Sequence, residues 1–138
     1  MNIKLIDFGY EQPPKRAHYN DAGADVFLKE RVRLFPHETK ALPLGFGLML
    51  PDGYMGIVQP RSGHARRGII AHIPPIDSGY RGEIHAIVTN TTNTDVFLEV
   101  GERVGQLVIL PIVIATFVED EDHLGPSRGD AAFNSTGK

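Results

Sequence analysis

The stretch Glu83-Ile84-His85-Ala86-Ile87-Val88-Thr89-Asn90 decides the fold class. Ile84, Ala86 and Val88 alternate with His85, Ile87 and Thr89, the two-residue period of a strand that turns one face to a core. Ile87 interrupts the polar side of that pattern, so burial on both faces, or a contact with another subunit, is expected here. The same texture recurs outward in both directions. The runs VRLF, FGLML, GIVQP and VFLEV are short and rich in β-branched and apolar residues, and they are divided by the chain's 15 Gly and 10 Pro. This predicts an all-β domain of many short strands: a sandwich, jelly roll or barrel. Only Gly63 to Arg67 reads as helical, with Ser62 as its N-cap and Gly68 as its stop.

A chain of 138 residues, 41% of them apolar, is long enough for one domain with a modest core. It has 14 Lys and Arg against 17 Asp and Glu, a formal charge of −3, so it carries no bulk positive field to hold a nucleic-acid backbone. Any phosphate site must be local. The chain has no cysteine, which removes disulfides, thiolate zinc sites and thiol nucleophiles together. The opening MNIKLIDFGYEQPPKR has neither a signal-peptide apolar region nor a membrane-crossing stretch, so a cytoplasmic protein is expected, with no membrane partner. The division expected is a β-domain over 1–118 and a mobile C-terminal arm over 119–138, because EDEDHLGPSRGDAAFNSTGK has too little apolar surface to pack alone. Just before it, Pro111 to Phe117 (PIVIATF) is more hydrophobic than a last strand on a small monomer normally exposes. That points to an oligomer, with a central core strand as the alternative.

Two segments carry chemistry. Pro60 to Gly68 (PRSGHARRG) puts Arg61, a hydroxyl and a flexible Gly at the start of a helical turn, where free N–H groups and a guanidinium suit phosphate oxygens. Its plainer reading is a capped surface helix with a solvated basic face. Pro74 to Asn90 (PPIDSGYRGEIHAIVTN) puts Asp77 in a turn before a strand, where it can activate water, although aspartates in such turns are more often only turn residues. Other matches fail on context. NSTGK at the end lacks the strand and helix of a P-loop. The sequon at Asn134 and the Arg128-Gly129-Asp130 tripeptide carry no argument, and the six His residues lack metal-ligand spacing.

Taken in order, AHYNDAGADVF, PRSGHARRG, IDSGYRGEIHAIVTN, GERVGQLVILPI and RGDAAFNSTGK resemble the five motifs of the trimeric dUTPases, within the dUTPase and dCTP deaminase superfamily. The resemblance implies a jelly-roll-like subunit with one short helix, a homotrimer with active sites between subunits, and Mg²⁺-dependent hydrolysis of dUTP to dUMP and pyrophosphate. That reaction limits uracil incorporation into DNA and supplies dUMP. Carried over residue by residue, Asp77 matches the base that activates the water attacking the α-phosphorus. Tyr80 matches the aromatic that packs on deoxyribose and leaves no room for a 2′-hydroxyl. Arg61, Ser62 and Gly63 match the phosphate-binding stretch, with Gln106 a further contact. Asp25 matches an acid near the metal and phosphates, with Mg²⁺ itself held mainly by the triphosphate. In the arm, Phe133 matches the aromatic that stacks on uracil, and Arg128, Ser135 and Thr136 match residues that close over the outer phosphates.

The base-reading hairpin, about Ala71 to His85, includes His72, Ile76 and His85 as candidate contacts. It departs from the family pattern: AHIPPID is shortened, and Ala71 or His72 stands near the place of an Asn that contacts the base. Two rivals remain. Ser78-Gly79-Tyr80 and Ala65-Arg66 resemble features of the dCTP deaminases, but the glutamate that shuttles protons in those enzymes aligns with Ile87. The other rival is a dUTPase-like regulatory binding protein, which would not need Asp77, Arg61, Ser62, Gln106, Tyr80 and Phe133 together.

Overall fold

The computed structural model describes residues 1–122, and ten strands and one short helix make up its regular structure. In chain order they are β1 (Lys4–Asp7), β2 (Ala24–Phe27), β3 (Val32–Leu34), β4 (Thr39–Pro43), β5 (Phe46–Met49) and β6 (Tyr54–Gln59). There follow α1 (Ser62–Arg66), β7 (Ile69–His72), β8 (His85–Asn90), β9 (Val96–Leu98) and β10 (Arg103–Pro111). All pairings are antiparallel, in sheets ordered β1-β5, β2-β10-β6, β3-β9 and β4-β8-β7. The fold is all-β and jelly-roll-like, as the sequence predicts.

On β8 the alternation is observed directly: Ala86 and Val88 are buried, while His85, Ile87 and Thr89 are half-buried. Ile87 is not a second core face. It lines a cleft, described below. One apolar cluster, with Leu28, Leu34, Leu42, Phe46, Leu48, Ile69 and Leu98 among its most buried members, packs between the sheets. At the end of β8 the core contains an amide. Asn90 is wholly buried, and its Nδ2 donates to the carbonyls of Leu34, Phe35 and Thr94, while its Oδ1 accepts from the backbone N–H and hydroxyl of Thr92. A buried amide with every polar atom engaged ties the end of β3 to the loop between β8 and β9 at little net cost.

Two local expectations are corrected. Ser62 is the first residue of α1 rather than its cap; Arg61, in an extended conformation, takes the N-cap position and makes no side-chain capping bond. Gly68, with φ +80°, does stop the helix. The other correction concerns Pro111 to Phe117, which is neither a last strand nor a core strand. β10 ends at Pro111, and beyond it Val113, Ile114 and Phe117 are 89%, 74% and 93% exposed.

The middle of β10 sets up a site. The register shifts between Arg103 and Gly105, a bulge, and a Cβ at Gly105 would lie 2.5 Å from the carbonyl oxygen of Gln59. Only glycine allows β6 to approach so closely. Past the bulge Leu107 faces the core and Gln106 faces out, between Asp25 on β2 and Gln59 on β6.

Candidate active site

Two clefts contain the predicted residues, and they share none. The first, about 220 Å³, lies between the Pro74–Tyr80 loop and β8. Asp77, Tyr80, His72, Ile76 and His85 all line it, with Ile87 on its wall. The second, about 540 Å³, lies over β10 and the start of α1 and is lined by Arg61, Ser62, Gln59, Arg103 and Gln106. Gly63 stands at the helix start beside the Arg61 side chain rather than in the cleft lining. Asp25 lines neither cleft; its Oδ2 lies 3.5 Å from Arg103 Nη1. Arg128, Phe133, Ser135 and Thr136 lie outside the described residues.

The loop of the first cleft is built by short-range bonds. The Asp77 carbonyl accepts from the Tyr80 N–H at 3.1 Å, and the isolated pairing of Ile76 with Gly56 extends the β6 edge to it. Arg81 locks the turn from outside: its Nη1 donates to the carbonyls of Ser78, Tyr80 and Leu48. Ser78 Oγ donates to Asp52. Tyr80 lies with its hydroxyl donating to the Glu83 carbonyl at 2.9 Å. A Cβ on Gly82 would meet that hydroxyl at 2.5 Å, so the glycine keeps the ring in place.

Glu83 closes the far end of this loop. Its carboxylate accepts from Lys29 Nζ at 2.8 Å and from the Gly45 N–H at 2.9 Å. Burial alone would push its pKa up. The hydrogen bonds from Lys29 and Gly45, with the charges of Lys29 and His85, outweigh that and hold it below the usual 4.5. The carboxylate is thus a structural anchor. Among the described residues the wall position facing this cleft from the middle of β8 is Ile87 rather than an acid, and the Glu83 carboxylate is engaged by Lys29 and the Gly45 N–H.

In the second cleft, Arg61 Nη1 donates to the Arg103 carbonyl at 3.2 Å, which lays the guanidinium across β10. The Arg61 carbonyl takes the N–H groups of His64 and Ala65. The N–H groups of Ser62 and Gly63 come before that first helical bond and are the ones a helix start leaves for an anion. The helix is held down by His64, which is buried and whose Nε2 lies 2.8 Å from Glu102 Oε2, with Arg67 Nη1 3.7 Å from the same oxygen. Glu102 also accepts the Glu99 N–H.

Sequence reasoning missed Arg81, Lys29, Glu83, His64 and Glu102. The only signal for them was a charged residue at a turn or a lone histidine, and neither is specific. Among the described residues no cluster of three or more His, Cys, Asp or Glu side chains could hold a metal ion. No helix among them is long and apolar enough to cross a membrane.

Comparison with known proteins identifies the family. The dUTPase family model matches residues 10–137. The chain is 44% identical over 131 residues to the deoxyuridine 5′-triphosphate nucleotidohydrolase of Cutibacterium acnes, covering 92% of this chain and 86% of that one. It is 42% identical over 129 residues to the enzyme of the same name from Gloeobacter violaceus, covering 90% and 88%. Among solved structures it is similar to the Staphylococcus bacteriophage 80alpha dUTPase with dUPNHPP, with a TM-score of 0.82 and 24% identity over 91% of this chain and 92% of that one. A mutant of the dUTPase from phage phi11 of S. aureus, in which a structural Mg(II) ion is coordinated, matches with a TM-score of 0.81 and 23% identity, covering 88% and 98%. With a family model spanning nearly the whole sequence and relatives above 40% identity over nine-tenths of it, the chain belongs to the dUTPase family.

Proposed function

We propose that the protein hydrolyses dUTP to dUMP and pyrophosphate, with Asp77 as general base. The observation that carries this reading is the joint lining of one cleft by Asp77 and Tyr80, in a chain 44% identical to a curated dUTP nucleotidohydrolase. Asp77 takes the proton of a water that attacks the α-phosphorus, and the pyrophosphate leaves with the β- and γ-phosphates. Tyr80 fills the space that a 2′-hydroxyl would need. Arg61, the N–H groups of Ser62 and Gly63, and Gln106 take the phosphate oxygens and the charge that grows on the leaving group.

One triphosphate would use both clefts, and the clefts belong to different surfaces of one chain. We therefore assign the protein as a homotrimer whose sites combine the Asp77 cleft of one subunit with the Arg61 cleft of another. The apolar surface at Val113, Ile114 and Phe117 supplies area for such an assembly. The segment from Arg128, with Phe133 stacking on the base and Ser135 and Thr136 on the phosphates, closes the site. A cytoplasmic setting, where deoxynucleotides are made and used, goes with this reading.

The residues present suit Mg²⁺ that arrives with the triphosphate. Among the described residues Asp25 is the carboxylate opposite Gln106, already paired with Arg103, and would reach the ion as an outer contact. When bound, the ion supplies charge neutralisation for the leaving pyrophosphate. The test is pyrophosphate release with dUTP, dCTP, dTTP and UTP side by side, with and without chelator, and base analysis of each product. Strong preference for dUTP supports the reading, whereas formation of dUTP from dCTP would replace it with deamination.

A further inference from the structure

One oxygen in the first cleft holds two side chains. The Glu83 carbonyl accepts from Tyr80 Oη at 2.9 Å and from His85 Nδ1 at 3.0 Å. A carbonyl cannot donate, so Nδ1 of His85 carries the proton, and in the neutral ring Nε2 is left with a lone pair. Among the described residues Nε2 has no hydrogen-bond partner, and the ring borders the cleft beside Tyr80 and Ile87. Glu83 is itself fixed by Lys29 and the Gly45 N–H, so the carbonyl that sets the tautomer is held from both sides of its residue.

We propose that His85 determines base specificity, with its Nε2 accepting the N3–H of uracil. The proposal rests on reading the Asp77 cleft as the nucleoside pocket. A deoxyuridine offers acceptors at O2 and O4, a 3′-hydroxyl that can act either way, and a single group that can only donate, N3–H. An acceptor locked into one tautomer matches that obligatory donor. Cytosine brings a lone pair at N3, which would face the lone pair of Nε2 and leave two polar groups unpaired in the cleft. His72 is not equivalent. Its Nε2 lies 2.9 Å from the Thr89 hydroxyl, which can donate or accept, so nothing fixes the polarity His72 presents.

The experiment compares kcat/KM for dUTP, dCTP and 2′,3′-dideoxyuridine triphosphate in the wild-type, His85→Leu and His85→Gln enzymes. His85→Leu is expected to lower kcat/KM for dUTP by about 10- to 100-fold and for dCTP by less than about threefold, narrowing the preference. His85→Gln, whose amide oxygen can accept in place of Nε2, is expected to keep most of it. A dUTP to dCTP ratio unchanged by His85→Leu overturns the proposal. So does a loss confined to dUTP and absent with the dideoxy substrate, which would make the sugar hydroxyl the partner. A measurement that needs no variant is the ¹⁵N shift of His85 Nε2, expected to move on binding α,β-imido-dUTP and not α,β-imido-dCTP; an unmoved shift with the uridine analogue overturns it. If the wild-type enzyme fails to release pyrophosphate from dUTP, the nucleoside assignment of the cleft falls and the proposal with it. That outcome is separate from an active enzyme indifferent to His85.

Discussion

Val58 and Gln59 are neighbours on β6 and face opposite ways, the first into the cleft of Asp77 and the second into the cleft of Arg61. The acid and the proposed phosphate donors thus line separate clefts of one chain, and under the proposed trimer they meet when copies combine. Mixing two inactive variants, Asp77→Asn and Arg61→Ala, after joint refolding should restore activity. Random assembly pairs an intact Asp77 with an intact Arg61 at about a quarter of the sites. Pyrophosphate release from the mixture checks this, and no recovery would place both groups in one subunit.

Asp77→Asn alone removes a base without removing volume. Turnover of dUTP should fall by about 10²- to 10⁴-fold, while the affinity for α,β-imido-dUTP stays within a few-fold of the wild type. Single-turnover kinetics beside equilibrium binding separates the two. A variant with near wild-type turnover would leave Asp77 as a turn residue only.

Gly82→Ala puts a methyl against the Tyr80 hydroxyl and must swing the ring or break its bond to Glu83. The expected result is a weakened sugar filter: the preference for dUTP over UTP narrows by about 5- to 150-fold, the scale of a steric filter worth about 1–3 kcal/mol. Measured kcat/KM for the two nucleotides decides it.

The Lys29–Glu83 pair gives a pH signature. The folded pKa of Glu83 lies below its usual value, so its contribution to stability is complete above pH 4.5 and is lost as the pH falls through the folded value. Glu83→Gln should lower stability at pH 7 by about 1–3 kcal/mol, and its difference from wild type should shrink in acid. Denaturant melts at pH 7 and at pH 3 to 4 test this; a difference that grows in acid would reverse the sign.

Deleting Arg128 to Lys138 should leave the domain folded, because the described apolar cluster is built from residues between Ile3 and Ile109, yet remove most turnover. Phe133→Ala should cost less than the deletion, on the scale of one stacking contact of about 1–3 kcal/mol. A truncated enzyme as fast as the intact one would make the segment a passive tail.

The fold was legible where side-chain period reports burial. β3, β5, β6, β8 and β9 each contain a run picked out by apolar texture, and Ala86 and Val88 point inward as alternation requires. The apolar run after Pro111 misled for the same reason: periodicity measures hydrophobicity, not pairing, and beyond the bond from the Ile112 N–H to the Gly53 carbonyl this stretch forms no strand among the described residues. At the candidate site, ordered motifs pointed to Asp77, Tyr80, Arg61 and Gln106, which do line clefts, but not to their division between two of them. A motif gives sequence neighbours, whereas facing is set by strand register, such as the bulge before Gly105 that turns Gln106 outward. Asn90, His64 and Glu102 were silent because a buried polar group is explained only by its partners, and these come from residues 38 or more positions away for His64 and as far as 56 for Asn90.

The shared acceptor at Glu83 has an evolutionary consequence. Tyr80 and His85, proposed above for the sugar and the base, are tethered to the same atom, so on that assignment a substitution that relaxes one filter shifts the carbonyl that orients the other. Mutational routes toward a ribonucleotide substrate would thus pass through variants with blurred pyrimidine choice. The two selectivities should show strong epistasis and drift together rather than one at a time.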